Sequence, residues 1–154
     1  MSALLNDADL VERIFAHIDG KSTDKGTTVW REPAENYSSP ARFAAELEVM
    51  RRVPMAFCPS AALPEPGSYI ARTTVGTPIL VVRGTDGVVH AFRNACRHRG
   101  MKVCRYDQGN TDTFTCPYHS WSFTTDGKLF GVPQFKTLYE GCMDKDEWSL
   151  IEVP

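Results

Sequence analysis

The sequence has few of the features that place a protein in a membrane, outside the cell or on nucleic acid. No apolar run approaches the roughly 18 residues that a membrane-spanning helix needs. The first seven residues lack a basic region followed by a long apolar run, so they do not resemble a signal peptide. The net charge of −2 is too balanced for a nucleic-acid-binding surface. We therefore expect a cytoplasmic protein with no membrane or nucleic-acid partner.

Histidine is scarce, and two of the four histidines lie close to a cysteine. The pairs are Cys96 with His98 and Cys116 with His119. Thiolates combined with imidazoles select iron–sulfur clusters, zinc or copper over magnesium and calcium. A Rieske [2Fe–2S] cluster has two Cys on one iron and two His on the other. We interpret these four residues as candidate ligands of such a cluster.

The spacing within each pair argues against a structural zinc site. Cys-x-His is tighter than the Cys-x2–4-Cys spacing that typically opens such sites. In the second pair, Pro117 restricts the backbone between the two ligands and removes one backbone donor. A Cys2His2 zinc site is the alternative for the same residues.

The other three cysteines, Cys58, Cys104 and Cys142, are an odd number in a chain without an export signal. Free thiols in a reducing compartment are their expected state. Because a buried Cys usually behaves as a small apolar residue, we expect no reactive role for them.

Two helices are predicted in the first third of the chain. Apolar residues recur at helical spacing over Asp7–Ile18, with Asn6 or Asp7 as cap and Gly20 just past the end. A second helix is predicted to begin at Pro40, with Ser39 as its cap. The apolar stripe of this second helix is expected to contact the core, and it consists of Phe43, Ala44, Leu47 and Met50.

Short β-strands are predicted after Ser68, where Ile, Val, Thr and aromatic residues alternate with turn residues. The strands are Tyr69–Val75, Pro78–Arg83, Val88–Arg93, Thr113–Thr115, Ser122–Thr124, Lys128–Gly131 and Trp148–Val153. Asp107–Asp112 is predicted to form a turn and Val132–Asp146 to be mostly irregular. The predicted fold is mostly β, a small antiparallel sandwich or barrel preceded by a helical leader.

The whole motif, Cys-x-His-x17-Cys-x2-His, resembles the Rieske domain of aromatic-ring-hydroxylating oxygenase α subunits. The segments Leu63–Tyr69, Val81–Gly87, Ala91–Gly100 and Asp126–Pro133 resemble the same family. The resemblance predicts a helical leader and extended segment over residues 1–62 and a Rieske domain over residues 63–154. That domain is expected to be truncated at its C-terminal end, because the family usually adds another strand.

The resemblance also implies roles for the candidate ligands. Cys96 and Cys116 would hold the buried iron of the [2Fe–2S] cluster. His98 and His119 would hold the outer iron through Nδ1 and leave Nε2 near the surface. Ser120 stands where the family usually has Gly, which strains the loop if this position needs a positive φ.

In function, the resemblance implies an electron-entry domain that accepts electrons from a ferredoxin or flavin reductase. They would pass to a mononuclear Fe(II), bound by two His and a carboxylate in a C-terminal domain absent from this chain. Apart from the candidate ligands, only His17 and His90 are available, so no catalytic residue is assigned here. The chain would be part of a mono- or dioxygenase, in the family usually a homotrimer. The substrate is not predicted.

Two other classes of Rieske protein are alternatives. A stand-alone Rieske ferredoxin carries electrons and catalyses nothing, and a chain of this kind would behave like one. Respiratory Rieske proteins link their two cluster loops by a disulfide. The corresponding positions here are Met101 and Tyr118, which disfavours that class.

Five basic residues and no acidic residue lie between positions 93 and 105; they are Arg93, Arg97, Arg99, Lys102 and Arg105. One interpretation is a docking patch for an acidic ferredoxin or reductase. The other is internal salt bridging of the loops, and the sequence favours neither.

The residues after the last ligand bear on the reduction potential. In high-potential Rieske proteins, a Ser two residues after the last His ligand and a Tyr four residues after it donate hydrogen bonds to sulfur. Trp121 and Phe123 occupy those positions here, and Phe123 has no donor. Hydrogen bonds to sulfur stabilise the reduced, more negative cluster. We therefore expect a potential near the bottom of the Rieske range, which is about −150 to +300 mV.

Overall fold

The computed structural model describes residues 5–153. The chain divides into two compact units, one up to Phe43 and the other from Ala44 onwards. No helix among the described residues is long and apolar enough to cross a membrane.

The first unit contains the leader helix α1, Asp7–Asp19, as predicted. Asn6 caps it, since its side-chain oxygen accepts a hydrogen bond from the Asp9 backbone N–H at 3.0 Å. Gly20 follows the last helical residue and donates its N–H to the Ala16 carbonyl. A 3-10 turn covers Ala34–Tyr37. No residue of α1 is buried. The apolar spacing therefore predicted the helix correctly, but the apolar face of the helix is not part of a core.

Helix α2, Pro40–Met50, begins where the sequence predicted. The Ser39 hydroxyl accepts from the Arg42 backbone N–H at 3.3 Å. The prediction that the apolar stripe contacts the core is wrong: no residue of α2 is buried, and Phe43 is 61% exposed. Helical spacing selects one face of a helix, but burial also requires a partner surface.

The second unit carries two antiparallel sheets, which confirms the predicted mostly-β architecture. The four-stranded sheet has the order β3-β2-β1-β4, with β1 at Ser68–Thr74, β2 at Thr77–Arg83, β3 at Val89–Arg93 and β4 at Gln108–Asn110. The three-stranded sheet has the order β5-β6-β7, with β5 at Thr113–Thr115, β6 at Ser122–Thr124 and β7 at Leu129–Gly131.

The turn predicted over Asp107–Asp112 is wrong, because β4 lies inside it and pairs with β1. All three residues of β4 are exposed, so no apolar alternation marked the strand. Gly109 lies opposite Tyr69, and a Cβ at this position would come within 2.7 Å of the Tyr69 hydroxyl. The glycine that suggested a turn instead gives the tyrosine ring room beside the strand.

The strand predicted over Trp148–Val153 is also wrong as an element. A 3-10 helix covers Lys145–Trp148, and only an isolated bridge joins Glu152 to Phe92. The segment still follows the edge of β3, since Arg93 donates to the Ile151 carbonyl and Val153 to that of Ala91. The region predicted as mostly irregular, Val132–Asp146, contains the one-turn helix α3, Phe135–Leu138, and the start of that 3-10 helix.

One core joins the two sheets and leads to the site. It includes Leu80, Val82 and Phe92 from the first sheet and Phe114, Phe123 and Leu129 from the second. Phe123 and Leu80 are fully buried. Cys96 and Cys116 belong to the same buried cluster, so the two loops that carry them are anchored in the core.

Candidate metal centre

Two loops with matching backbone closure carry the candidate ligands. In loop 1 (residues 94–105), Cys96 donates its N–H to the Met101 carbonyl at 2.7 Å, and Gly100 donates to the Cys96 carbonyl at 2.8 Å. In loop 2 (residues 116–121), Cys116 donates to the Trp121 carbonyl at 2.8 Å, and Ser120 to the Cys116 carbonyl at 3.0 Å. Each cysteine therefore begins a turn of the same form, and each histidine lies within that turn.

The residue four positions after each cysteine has a left-handed backbone. Gly100 has φ +75° and Ser120 has φ +57°. The position after the last candidate ligand thus needs a positive φ, as the comparison with Gly in the resembled family suggested. This conformation strains the backbone of Ser120, because the residue has a Cβ, whereas a glycine would adopt it without strain.

The two thiols lie together at the inner end of the site. Cys96 is 3% exposed and Cys116 is 2% exposed. Burial raises the pKa of the Cys96 thiol, and its hydrogen bond to the Cys116 thiol raises it further. A raised pKa favours the protonated Cys96 thiol, so metal binding at Cys96 would release a proton, which is the usual coupling of metal binding to pH.

The two imidazoles lie together at the outer end, with ring centroids 4.6 Å apart and planes at 73°. The Nδ1 atoms of His98 and His119 are both buried and have no hydrogen-bond partner among the described residues. Burial lowers the pKa of His98, and the charges of His119 and Arg99 lower it further, so the neutral imidazole is favoured. A buried polar atom without a partner is costly, and a neutral Nδ1 is a metal ligand. These residues therefore fit a group that accepts two imidazole nitrogens.

An aromatic ring supports each imidazole. Trp121 stacks on His98 with centroids 4.9 Å apart and planes at 14°, and it is only 3% exposed. Tyr118 covers His119 with ring centroids 3.8 Å apart, and Tyr118 is 54% exposed. Sequence reasoning missed both supports, although the two rings immediately flank the His119-Ser120 pair.

Asn94 is a second residue that sequence reasoning missed. It is 4% exposed, its Nδ2 donates to the Cys104 carbonyl at 2.7 Å, and its Oδ1 accepts from the Cys104 N–H at 2.9 Å. This pair of hydrogen bonds closes loop 1 at its base. No local signal distinguishes such an Asn from a turn residue, because its partner is ten residues away.

Of the remaining His and Cys residues, Cys104 lies in loop 1, where its backbone pairs with Asn94. His17 contacts Ser22 and Asp24 in the leader, and His90 contacts Asp86. Cys58, Cys104 and Cys142 are free thiols, as predicted.

A family model for the Rieske [2Fe-2S] domain matches residues 53–142, more than half of the 154-residue chain. The chain belongs to the Rieske [2Fe-2S] domain family. This Rieske chain is 46% identical over 89 residues to the chlorobenzene dioxygenase subunit alpha of Cupriavidus sp. (strain PS12), covering 58% of the chain and 20% of the relative. It is 34% identical over 118 residues to the biphenyl 2,3-dioxygenase subunit alpha of Rhodococcus jostii (strain RHA1), and this match covers 76% of the chain and 25% of the relative. The chain thus spans about a fifth to a quarter of these relatives, which are α subunits of ring-hydroxylating dioxygenases.

Solved structures of Rieske oxygenases share the fold of this chain. Naphthalene 1,2-dioxygenase from Rhodococcus sp. superposes with a TM-score of 0.72 and 30% identity over 97% of this chain and 33% of that one. A quaternary ammonium Rieske monooxygenase in complex with L-carnitine gives a TM-score of 0.69 and 30% identity over 82% of this chain and 36% of that one. The Rieske fold with an N-terminal helix, expected from the motif, is confirmed.

Proposed function

We propose that Cys96, His98, Cys116 and His119 bind a [2Fe–2S] cluster of the Rieske type. The observation that carries the proposal is the pair of buried, unpartnered Nδ1 atoms at the outer end of a site whose inner end holds two buried thiols. Such a cluster takes up and releases one electron when bound. Cys96 and Cys116 would hold the inner iron and the two histidines the outer one.

The protein would exclude water from the inner end and leave the outer end accessible. The buried core around both cysteines keeps solvent from the thiolates, which favours retention of the inner iron. His98 and His119 are only half-buried, which supports the proposal that their Nε2 atoms lie near the surface of this unit. We infer that electrons leave through the histidine end, by way of His119.

We propose further that the chain is the electron-entry portion of a ring-hydroxylating oxygenase α subunit, in a homotrimer. The curated relatives are dioxygenase α subunits of which the matched region is only a fraction, which supports this role. The mononuclear iron that receives the electrons would be bound outside residues 1–154. The Rieske domain would begin near Leu63, which is 1% exposed and packs with Ile79 and Val81 of β2.

For the electron donor, we propose an acidic ferredoxin or reductase that docks on the basic segment, residues 93–105. None of its five cationic side chains forms an ion pair with another residue of the described range 5–153. This favours the docking interpretation over internal salt bridging. Lys102 and Arg105 also line a groove of about 490 Å³ together with Arg72 of β1.

A stand-alone ferredoxin-like role is the second candidate. The half-buried histidines would serve an electron carrier equally well. The two roles differ in the electron acceptor. An oxygenase portion passes its electron to a mononuclear iron, whereas a ferredoxin passes it to another protein. Because none of the five cysteines forms a disulfide, either role fits a reducing, cytoplasmic compartment.

The cluster proposal is tested by metal and sulfide analysis of the 154-residue chain made with ample iron. About two iron and two acid-labile sulfide per chain are expected, with a Rieske-type EPR signal after reduction. Cys116→Ser should abolish the signal. Cys58→Ser is the matched control, because Cys58 packs in the separate cluster of Leu63, Ile79 and Val81. Stoichiometric zinc without sulfide would refute the proposal.

A further inference from the structure

The two imidazoles of the site are supported unequally. His98 stacks on Trp121, which is buried and meets Trp148 and Tyr139 edge-to-face at 5.7 and 6.3 Å. The support of His98 is therefore part of the core. His119 is covered by Tyr118, whose side chain is more than half exposed. Core packing alone does not hold this second support in place.

What holds Tyr118 is Arg99. The guanidinium carbon lies 5.3 Å from the centre of the Tyr118 ring, and Nη1 lies 3.4 Å from the phenol oxygen. A guanidinium over an aromatic face is attracted by the ring quadrupole, and Arg presents a planar group suited to this contact. Among the described residues, Arg99 forms no ion pair that competes with the ring.

The contact also joins the two cluster loops. Arg99 belongs to loop 1 and Tyr118 to loop 2, nineteen positions apart. Each residue is adjacent in sequence to one histidine, Arg99 to His98 and Tyr118 to His119. The pair therefore spans the outer end of the site, where the core no longer ties the loops together.

We propose that Arg99 and Tyr118 form a positioning pair that orients the His119 imidazole and keeps the outer ends of the two loops together. The inference rests on the proposed cluster and adds two residues that are not ligands. An imidazole bound through Nδ1 can still tilt about its Cβ–Cγ bond. A ring at 3.8 Å removes part of that freedom, and the guanidinium fixes the ring. The orientation of a ligand ring affects its overlap with the metal and the path by which an electron leaves it.

The test uses the full 154-residue chain with its cluster bound. Pulsed EPR of the reduced protein measures the nitrogen hyperfine couplings of the two imidazoles. Tyr118→Leu should broaden one of the two couplings and leave the other, because only His119 loses its covering ring. Tyr118→Phe keeps the ring and should retain the wild-type spectrum. Tyr106→Leu is the control, since Tyr106 is an exposed tyrosine that directly follows loop 1.

Cluster loss to an iron chelator tests the link between the loops. Arg99→Met should speed the loss roughly two- to fivefold, the factor that corresponds to an exposed cation–π contact. Arg52→Met is the control, because Arg52 is an exposed arginine outside both loops, and it should have the wild-type rate. The double variant Arg99→Met/Tyr118→Leu should lose its cluster no faster than the faster single variant, because both changes break one contact.

The results separate this inference from the proposed function. Failure of the wild-type chain to bind iron and sulfide would refute the cluster itself. With a bound cluster, the positioning role is refuted by wild-type couplings in Tyr118→Leu, or by an equal effect of Tyr106→Leu. Additive effects of the two changes on the loss rate would refute the pairing of Arg99 with Tyr118.

Discussion

At the scale of single residues, Ser120 shows a strain that the fold tolerates. Its φ of +57° costs a residue with a Cβ about 1–2 kcal/mol, and part of that cost is offset in the unfolded chain, where Gly has more freedom. We expect Ser120→Gly to raise the free energy of unfolding by about 0.5–1 kcal/mol. Anaerobic urea unfolding measures this change.

Gly100 is the matched control for Ser120, because it occupies the same position of loop 1. Nothing lies within 4 Å of a Cβ added there, so Gly100→Ser reports the backbone alone. It should lower the free energy of unfolding by about 1 kcal/mol. A loss of stability in Ser120→Gly would contradict the argument and would assign the serine hydroxyl a stabilising contact.

Phe123 allows the expectation of a low potential to be tested. It is fully buried in the same cluster as Cys96 and Cys116, and it offers no hydrogen bond to sulfur. A donor to a charged acceptor contributes about 1.5–3 kcal/mol, or roughly 60–130 mV for one electron. We expect Phe123→Tyr to raise the potential by some tens of millivolts in protein-film voltammetry, because the added donor stabilises the reduced cluster.

The new hydroxyl of Phe123→Tyr is buried, so without an acceptor it costs about 1–3 kcal/mol of stability. Iron content must therefore be equal in both proteins before their potentials are compared. A wild-type potential well above zero, or a fall on introducing the tyrosine, would contradict the expectation.

Residue identities and spacing predicted the four candidate ligands, because Cys and His are few and their spacing is tight. They did not predict the roles of Asn94, Arg99 or Tyr118. Each of these depends on a partner that is distant in sequence, ten or nineteen positions away. Such contacts exist only once the loops are placed by the sheets.

At the scale of elements, Gly127 controls how the β6–β7 hairpin meets the first sheet. It has φ +82°, and an added Cβ would lie 2.5 Å from Cε1 of the buried Phe92 ring. Its carbonyl also accepts from the Leu150 N–H at 2.8 Å. We expect Gly127→Ala to cost about 2–4 kcal/mol, the sum of backbone strain and overpacking. Thermal unfolding measures the loss.

Gly87 separates these two effects. It has φ +80° in the β2–β3 turn, but no atom lies within 4 Å of an added Cβ. Gly87→Ala should therefore cost only about 1 kcal/mol. Equal losses in the two variants would mean that the Phe92 contact adds nothing.

Strand β2 contains a continuous run of buried apolar residues, and β3 lies in a segment with apolar alternation. Both strands were predictable, because their side-chain patterns are typical of strands. Strand β4 was not, because all three of its residues are exposed and backbone pairing with β1 holds it. The segment over Trp148–Val153 has strand-like residues but makes only one bridge. Its position along β3 is a tertiary property that local pattern does not encode.

At the scale of the whole molecule, the helical leader shows a further limit of prediction. The start of each helix, α1 and α2, followed from caps and apolar spacing, yet neither helix has a buried residue. Spacing defines which side chains share a face. What covers that face depends on the surfaces available to it, which the pattern of one helix does not contain.

The charge of the whole molecule affects how an electron donor approaches it. With a net charge of −2, uniform repulsion from an acidic donor would make reduction faster as salt is added. The basic segment at residues 93–105 predicts the opposite, because local attraction guides the encounter and salt screens it. We expect the second-order rate constant for reduction by an acidic ferredoxin, measured by stopped flow, to fall with ionic strength.

Two double charge reversals distinguish the local effect from the net charge. Lys102→Glu/Arg105→Glu should slow reduction about tenfold at low salt and flatten its salt dependence. Lys25→Glu/Arg31→Glu makes the same change in net charge on exposed residues of the leader, and should leave most of the rate intact. A wild-type rate that rises with salt, or an equal loss in both double variants, would mean that net charge and not the basic segment governs the encounter.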